Sequence, residues 1–324
     1  MLGIDLGAYS AKFCLTRRKK ETFELLWLGE MRLPSYSIVG GEIKDKNSLA
    51  DNLQQFLRRN HLPREVVVSF YHPRMVVQNI SLPEMPDEEL ENALRWEASS
   101  IITGEDSFQV GWQTIEKKEG QQKILFAASP SWIVEEYLDV FRRARLEVEA
   151  LEPQVLSLIR GFLSLYPDLV DSTFSVVDLG FTKGGILYFS AGELVFSRYF
   201  NWGLGKVGNY LEEKFRLLPA EITELFNRST KEDIPYQMEE ALAEVSKDLV
   251  MELRRSLTFL HSEFDSSSDQ KLFLSGGGAE IPFLRQILIE NLPLSVGRIP
   301  PLMVEGEEFS GSVYMGALGA SLWS

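Results

Sequence analysis

Cysteine is nearly absent. Cys14 is the only one in 324 residues, so neither an intrachain disulfide nor a cysteine metal cage can form. Histidine is almost as scarce: His61 follows a helical stretch, His72 precedes Pro73, and His261 sits at a helix end. Surface or helix-terminus placements are expected for all three, in preference to catalysis or metal binding. No apolar run approaches the ~20 residues needed to cross a bilayer. The opening, MLGIDLGAYS, has no charged segment followed by an apolar one, so no secretory leader is expected, and the Asn-x-Ser sequences at Asn79 and Asn227 carry no glycosylation meaning. A cytoplasmic chain is the expectation. Positive charge is in deficit, with 33 Lys and Arg against 47 Asp and Glu, a net charge of -14. That field repels a phosphate backbone, so no nucleic acid partner is expected. The local exception, Arg17 to Lys20, falls at an expected hairpin turn and reads as a solvated tip. Neither a GxxxxGKS/T loop nor a GxGxxG after a strand is present.

What is there is ordinary for a globular protein, 44% hydrophobic and 25% charged. The length exceeds the size at which one core stops growing, so two domains are expected. An internal echo supports them. Ile4-Asp5-Leu6-Gly7 opens the chain and Val177-Asp178-Leu179-Gly180 recurs near its middle. Each is followed by a strand-like segment (Phe13 to Thr16, Ile186 to Phe189), then a polar turn (Arg17 to Glu21, Ser190 to Glu193). A second apolar strand follows each turn (Phe23 to Leu28, Leu194 to Tyr199). Both units read as hairpins or meanders, and the duplication points to two similar domains facing one another. Three identical letters can recur by chance, but matching hairpins on both sides tell against that.

Between the copies, Leu49 to Asn60 has a helical face of Leu49, Leu53, Phe56 and Leu57, and Glu65 to Phe70 reads as a buried strand. Pro83 and Pro86 punctuate the chain before Asp87-Glu88-Glu89, acidic residues suited to a helix start. Leu90, Ala93, Leu94, Ala98 and Ile101 form that helix's apolar stripe. Strands are expected at Phe108 to Thr114 and Lys123 to Ala128 around a polar turn, Lys117 to Gln122, and Ser131 is expected to cap a helix reaching Ala144. Segment 79–150 thus reads as a compact α+β insert. Beyond the second copy, Gly203 to Phe215 and Pro219 to Phe226 look helical, and Met238 to Leu260 reads as a long amphipathic core helix. A polar loop (Ser266 to Asp269), a strand (Lys271 to Ser275), a turn (Gly276-Gly277-Gly278), a helix (Pro282 to Asn291) and a small-residue helix (Val313 to Leu322) complete the chain.

The two Asp-x-Gly turns and the triple glycine are three points able to converge on one ligand, and their chemistry suits phosphate and magnesium. Glycine lets backbone N–H groups approach phosphate oxygens with no Cβ in the way. A carboxylate at each strand end, Asp5 and Asp178, can accept hydrogen bonds from the water shell of Mg²⁺. Gly7 and Gly180 make the turns, Ser10 and Thr182 are their nearby hydroxyls, and Lys12 is placed to pair with a terminal phosphate. Gly276, Gly277 and Gly278 would let a purine and ribose lie flat at a helix N-terminus. Each element alone is a weak signal, since such turns also occur without ligands; their order is the specific part.

That order resembles the actin-like ATPase superfamily. Ile4 to Lys12 is similar to its first phosphate motif, Val176 to Gly185 to its second, and Leu272 to Phe283 to its adenosine motif. Leu151 to Arg160 and Tyr314 to Leu322 resemble the two connecting helices. Within the superfamily, Ile80-Ser81-Leu82-Pro83-Glu84-Met85-Pro86, Glu88-Glu89-Leu90, Ala93, Arg95-Trp96-Glu97-Ala98, Ala127-Ala128-Ser129-Pro130 and the passage Ala144 to Pro153 resemble the PilM family of type IV pilus assembly proteins. The resemblance implies a two-domain α/β fold of the actin-like ATPase (ribonuclease H-like) type with an FtsA-like 1C subdomain. It divides the chain into subdomain 1A (1–78, 151–172 and 311–324), 1C (79–150), 2A (173–208 and 268–310) and 2B (209–267). It implies ATP and Mg²⁺ in the interdomain cleft, with Asp5 and Asp178 holding the metal through water. It also implies a short N-terminal peptide of PilN, an inner-membrane protein, in a groove between 1A and 1C. Leu90, Leu94 and the 124–128 strand, with Leu125, are the first places to look for that groove, read by backbone pairing or apolar pockets. FtsA carries a C-terminal membrane-binding helix; with Ser324 straight after the connecting helix, membrane association is expected through a partner.

The motifs depart from the family in places. Ala8 and Tyr9 stand where Ser or Thr is usual, Phe181, Lys183 and Gly184 where small or hydroxyl residues are usual, and Glu224 where a Lys often lies. For hydrolysis, Gln154 could orient a water and Glu152 accept its proton; equally, both could simply cap or solvate a helix start beside Pro153. The alternatives are an FtsA-like or GspL-like structural ATPase, against which the lack of a C-terminal amphipathic or membrane helix weighs, and a small-molecule kinase of the same fold. Self-association stays open.

Overall fold

Leu2, Ile4 and Leu6 are buried in β1 (Leu2–Leu6), the middle strand of a five-stranded sheet. The protein is described by a computed structural model over residues 1–20, 22–34, 37–230, 234–264 and 271–323. The chain divides into two compact units, 1–164 with 316–324, and 165–315. The expected polar loop at Ser266 to Asp269 lies outside the described residues.

In the first unit β1 meanders into β2 (Ser10–Lys19) and β3 (Thr22–Arg32), followed by the short pair β4 (Ile38–Val39) and β5 (Glu42–Ile43). Helix α1 (Lys46–Arg59) is capped by Asp45, whose side chain accepts the Ser48 N–H at 2.9 Å. It lays Leu49, Leu53 and Leu57 on the sheet, and its Phe56 stacks on Phe13. Strand β6 (Glu65–Phe70) runs parallel to β1. The insert follows, with β7 (Val76–Pro83), α2 (Asp87–Ile101), β8 (Phe108–Lys118) and β9 (Gln121–Pro130). Its sheet order is β7-β9-β8, and α2 covers one face, packing Leu90, Leu94 and Ala98 on Ile124, Phe126 and Ala128. Pro83 is tolerated at the end of β7 because that strand lies at the sheet edge. Helix α3 (Ser131–Arg143) corrects one expectation: Ser131 is its first residue and bonds the Ser107 hydroxyl at 2.7 Å, and the cap position is Pro130. Then β10 (Glu147–Pro153) joins β6, giving the order β10-β6-β1-β2-β3, and α4 (Gln154–Leu165) follows.

The second unit repeats the plan. Strands β11 (Phe174–Leu179), β12 (Gly184–Ser190) and β13 (Glu193–Phe200) form the meander, with β11 buried throughout. Helices α5 (Gly205–Phe215), α6 (Pro219–Arg228) and α7 (Tyr236–Phe264) precede β14 (Lys271–Ser275). Next come α8 (Pro282–Asn291), β15 (Ser295–Gly297), β16 (Leu302–Val304), β17 (Glu307–Phe309) and α9 (Gly311–Ser321). The main sheet runs β13-β12-β11-β14-β15, the same arrangement of three antiparallel and two parallel strands. The long helix α7 is a core helix, as read: Met238, Leu242, Leu249, Leu253 and Leu260 join the cluster of Val177, Ile186 and Trp202. Trp202 is buried with its Nε1–H donating to the Val245 carbonyl at 3.0 Å, which satisfies its one polar atom.

Within the first unit the end of α9 approaches its neighbours at backbone distance. A Cβ on Gly3 would lie 2.2 Å from the Ser321 nitrogen, and one on Gly319 would lie 1.8 Å from the Ser157 carbonyl oxygen of α4.

His61 and His261 are exposed, but His72 is buried, 2% accessible, and corrects the surface placement expected of it. The chain turns inward there, and the imidazole meets the Trp132 ring edge-on at 5.6 Å. Its Nδ1 accepts the Arg74 N–H at 3.1 Å, which leaves the proton on Nε2, where it finds no partner among the described residues. Burial pushes its pKa below the ordinary imidazole value of 6.5. The unfolded chain therefore takes up this proton first as pH falls. Stability contributed by neutral His72 is present above pH 6.5 and declines below it. Urea titrations are expected to show a loss of at most about 1.4 kcal/mol per pH unit from this group. In His72→Phe that part of the slope should vanish.

Candidate functional site

The first aspartate–glycine corner is set by strand register. Gly7 N–H donates to the Ser10 carbonyl at 3.2 Å, closing the turn from β1 into β2. Asp5 lies opposite Lys12 on β2 and Ser69 on β6, and Ser69 lies opposite Glu152 on β10. Registered neighbours point to the same face, so Lys12, Asp5, Ser69 and Glu152 form one polar row across an apolar sheet. Asp5 is buried, and its Oδ1 accepts the Gln154 amide at 3.2 Å and the Ser69 hydroxyl at 3.5 Å. Gly316 of α9 closes over it: a Cβ there would sit 2.7 Å from Asp5 Oδ2. Lys12 Nζ donates to the buried Ser10 hydroxyl at 2.7 Å and pairs with Glu30 at 3.8 Å.

Glu152 and Gln154 part company. Glu152 lies at the end of strand β10, where the helix Leu151 to Arg160 was expected; pairing with β6 keeps the backbone extended as far as Pro153. Its carboxylate is clamped by Arg160, Nη1 donating to Oε1 and Nη2 to Oε2, each at 2.8 Å, with the Ser157 hydroxyl also donating to Oε1. Arg160 also donates to the Gly319 carbonyl at 2.8 Å. Gln154 is the first residue of α4, and its Oε1 is buried with no partner among the described residues while its amide nitrogen donates to Asp5.

The second corner repeats the first. Gly180 N–H donates to the Lys183 carbonyl at 3.0 Å, and a Cβ on Gly180 would lie 2.9 Å from that oxygen. Asp178, also buried, is in register with Gly185 and Ser275, so Ser275 repeats the place of Ser69. The turn ends in Lys183 where the first ends in Ser10. Lys183 Nζ lies 3.2 Å from Asp178 Oδ2 and 3.7 Å over the Tyr199 ring. Gly276 has φ 83°, a left-handed conformation that favours glycine, and a Cβ on it would meet Asp178 Oδ1 at 2.9 Å. Gly278 packs against Leu179, whereas Gly277 and Thr182 are exposed. The structure thus gathers Asp178, Gly180, Lys183, Gly276 and Gly278, and leaves Gly277 and Thr182 at the surface.

Gly7, Gly180, Gly276 and Gly278 are required by contacts within the chain, with the Ser10 and Lys183 carbonyls, Asp178 and Leu179, whereas Gly277 leaves its backbone open. Gln154 Oε1 is a buried acceptor with no partner among the described residues. Asp5, held by neutral donors from Gln154 and Ser69, suits a hydrated cation. Asp178 suits one poorly, since an ammonium already occupies one of its oxygens.

The residues first considered for a peptide groove sit differently from expectation. Leu90 and Leu94 are fully buried in the insert's own core. Leu125 is half-buried on the opposite sheet face, between Asn79 and Gln113. Strand β9 is central, so backbone pairing at 124–128 is already used by β7 and β8. Sequence reasoning also missed Ser69 and Ser275. A signal was present, since EVVVS and KLFLS each place a serine straight after a charged residue and an apolar triplet.

A family model of the type IV pilus assembly protein PilM matches residues 3–305. The chain belongs to the PilM family. A solved PilM-PilN type IV pilus biogenesis complex is similar over 99% of this chain and 97% of that one, at 21% identity and a TM-score of 0.84. The ethanolamine utilization protein EutJ from Carboxydothermus hydrogenoformans is similar over 100% and 89%, at 12% identity and 0.60. No curated protein matches. These likenesses speak to fold: the chain has the actin-like ATPase fold, α/β with several sheets. Among the described residues, no helix of this PilM family member is long and apolar enough to cross a membrane.

Proposed function

We propose that the chain is a nucleotide-binding scaffold of type IV pilus assembly that binds ATP with Mg²⁺ through its two aspartate–glycine corners and the N-terminal cytoplasmic peptide of PilN in a groove between 1A and 1C. The observation that carries this reading is the repetition of one phosphate-type corner, Asp5-Leu6-Gly7 and Asp178-Leu179-Gly180, at the same place in two sheets of the same order. In this reading the turns at Gly7 and Gly180 offer their N–H groups to phosphates, Lys12 neutralises a terminal phosphate, and Gly276 to Gly278 carry the adenosine. Ser10 and Thr182 flank the phosphates, and of the two aspartates Asp5 is the one that accepts from a metal's water shell, because Lys183 already occupies an oxygen of Asp178. Gln154 orients a water. Glu152, committed to Arg160, is a poor proton acceptor, so hydrolysis is weak or absent.

The peptide is read by the half-open face around Leu125 and by the outer edges of β7 and β8, with Leu90 and Leu94 supporting that sheet from behind. Binding PilN would hold the chain at the cytoplasmic side of the inner membrane. The division into 1A (1–78, 151–172, 311–324), 1C (79–150), 2A (173–208, 268–310) and 2B (209–267) belongs to the same proposal.

The test is a pair of titrations, with ATP-Mg²⁺ and with a synthetic PilN N-terminal peptide. Lys12→Met, which removes the cation assigned to the terminal phosphate, is expected to weaken ATP binding at least about tenfold, roughly 1.4 kcal/mol, and leave peptide binding intact. Leu125→Glu is expected to do the reverse. Wild-type protein that binds neither ligand would refute the reading.

A further inference from the structure

The second corner carries a cation of its own. Lys183 ends the turn whose first residue, Gly180, bonds the Lys183 carbonyl at 3.0 Å, so its backbone is fixed beside Asp178. Both charged side chains are withdrawn from water, 13% exposed for Lys183 and 4% for Asp178. Gly185 explains the third contact. A Cβ at Gly185 would lie 2.5 Å from Tyr199 Cδ1, so only glycine lets the Tyr199 ring lie over the strand, and that ring carries the ammonium at 3.7 Å. On the far side, the Gly276 backbone closes against Asp178 Oδ1. One carboxylate oxygen is thus committed to an ammonium and the other abuts a glycine turn.

A hydrated Mg²⁺ needs that carboxylate free to accept from its waters. Brought to Asp178, it would meet a like charge in surroundings that screen poorly. We propose that Lys183 is the resident counter-charge of this corner, replacing an Asp178-held Mg²⁺ and presenting its ammonium to phosphate oxygens, so that ATP binds with little dependence on Mg²⁺. The inference rests on the nucleotide-binding reading above. The first corner differs, since Lys12 is anchored on β2 by Ser10 and Glu30 and is paired across the strands with Asp5.

Calorimetric titration of ATP in Mg²⁺ and in EDTA decides it. Wild-type affinity is expected to change by less than about threefold between buffers, and Lys183→Arg to behave likewise. Lys183→Met is expected to lose at least about tenfold in EDTA and to recover part of that in Mg²⁺. Wild-type binding that collapses in EDTA overturns this inference and leaves the nucleotide reading standing. No ATP binding in either buffer overturns both. Should Lys183→Met fail to fold, Asp178→Asn/Lys183→Met, which leaves no buried charge unpaired, replaces it. That double variant is expected to bind ATP weakly in both buffers, and affinity equal to wild type overturns the inference.

Discussion

Gly319→Ala is expected to unfold the first unit or to destabilise it by more than about 4 kcal/mol, beyond the range of ordinary substitutions. The position tolerates no side chain. A Cβ there would lie 1.8 Å from the Ser157 carbonyl oxygen and 2.7 Å from the Gly161 nitrogen, both backbone atoms of α4, which cannot swing aside as a flexible side chain would. Relief requires α9 to move off α4, and the Gly319 carbonyl that accepts from Arg160 moves with it. Helix α9 is apolar and buried almost all round, so displacement exposes Met315, Ala317, Leu318 and Ala320 together. Gly277→Ala is the control. Nothing lies within 4 Å of its added Cβ, and its urea midpoint should match wild type. A Gly319→Ala protein with a wild-type midpoint would mean that α9 and α4 do not pack at backbone distance.

The second large effect is expected from Arg160→Ala, a loss of about 3 kcal/mol, followed by chemical denaturation. Removing the guanidinium strands the Glu152 carboxylate, 8% exposed, with only the Ser157 hydroxyl for compensation. Arg160 itself is 31% exposed, which places the loss at the low end for a broken buried pair. Glu152→Gln/Arg160→Met should recover most of it, because both charges then go together. The comparison also separates two roles for Glu152. If it orients and anchors Arg160, Glu152→Gln lowers stability and leaves ATP affinity unchanged. A variant of wild-type stability with altered nucleotide turnover would return Glu152 to the chemistry.

Much of this arrangement is legible in the sequence where local chemistry and tertiary packing agree. Glu65–Phe70, Lys271–Ser275 and Pro282–Asn291 have the bounds read for them, because polar residues, glycines or a proline flank short apolar runs. The two aspartate corners are visible as an echo of letters, and the repeated sheet order gives that echo a structural basis. Other features lack a local signal. β7 has Gln78, Asn79 and Ser81 among its apolar residues and is half-buried over much of its length, so no alternation marks it. β10 carries a register shift between Val148 and Ala150 and runs straight into a helix, which hides its period. Leu90 and Leu94 form a readable apolar stripe, but a stripe cannot say whether a helix covers its own sheet or awaits a partner. Lys183 is visible as an unusual residue. Its pairing with Asp178 depends on a turn folding back five residues, and its seat on Tyr199 depends on a glycine in the neighbouring strand.

The lone thiol gains meaning from its surroundings. Cys14 is wholly buried on β2, the Ser321 hydroxyl of α9 approaches its sulfur at 3.5 Å, and burial pushes its pKa up to about 12. Almost no thiolate exists at neutral pH, and no reagent reaches the sulfur while the terminal helix is seated. The thiol is thereby shielded from oxidants in the native chain, and it is a single latent tag that becomes chemically visible only when that helix lifts away.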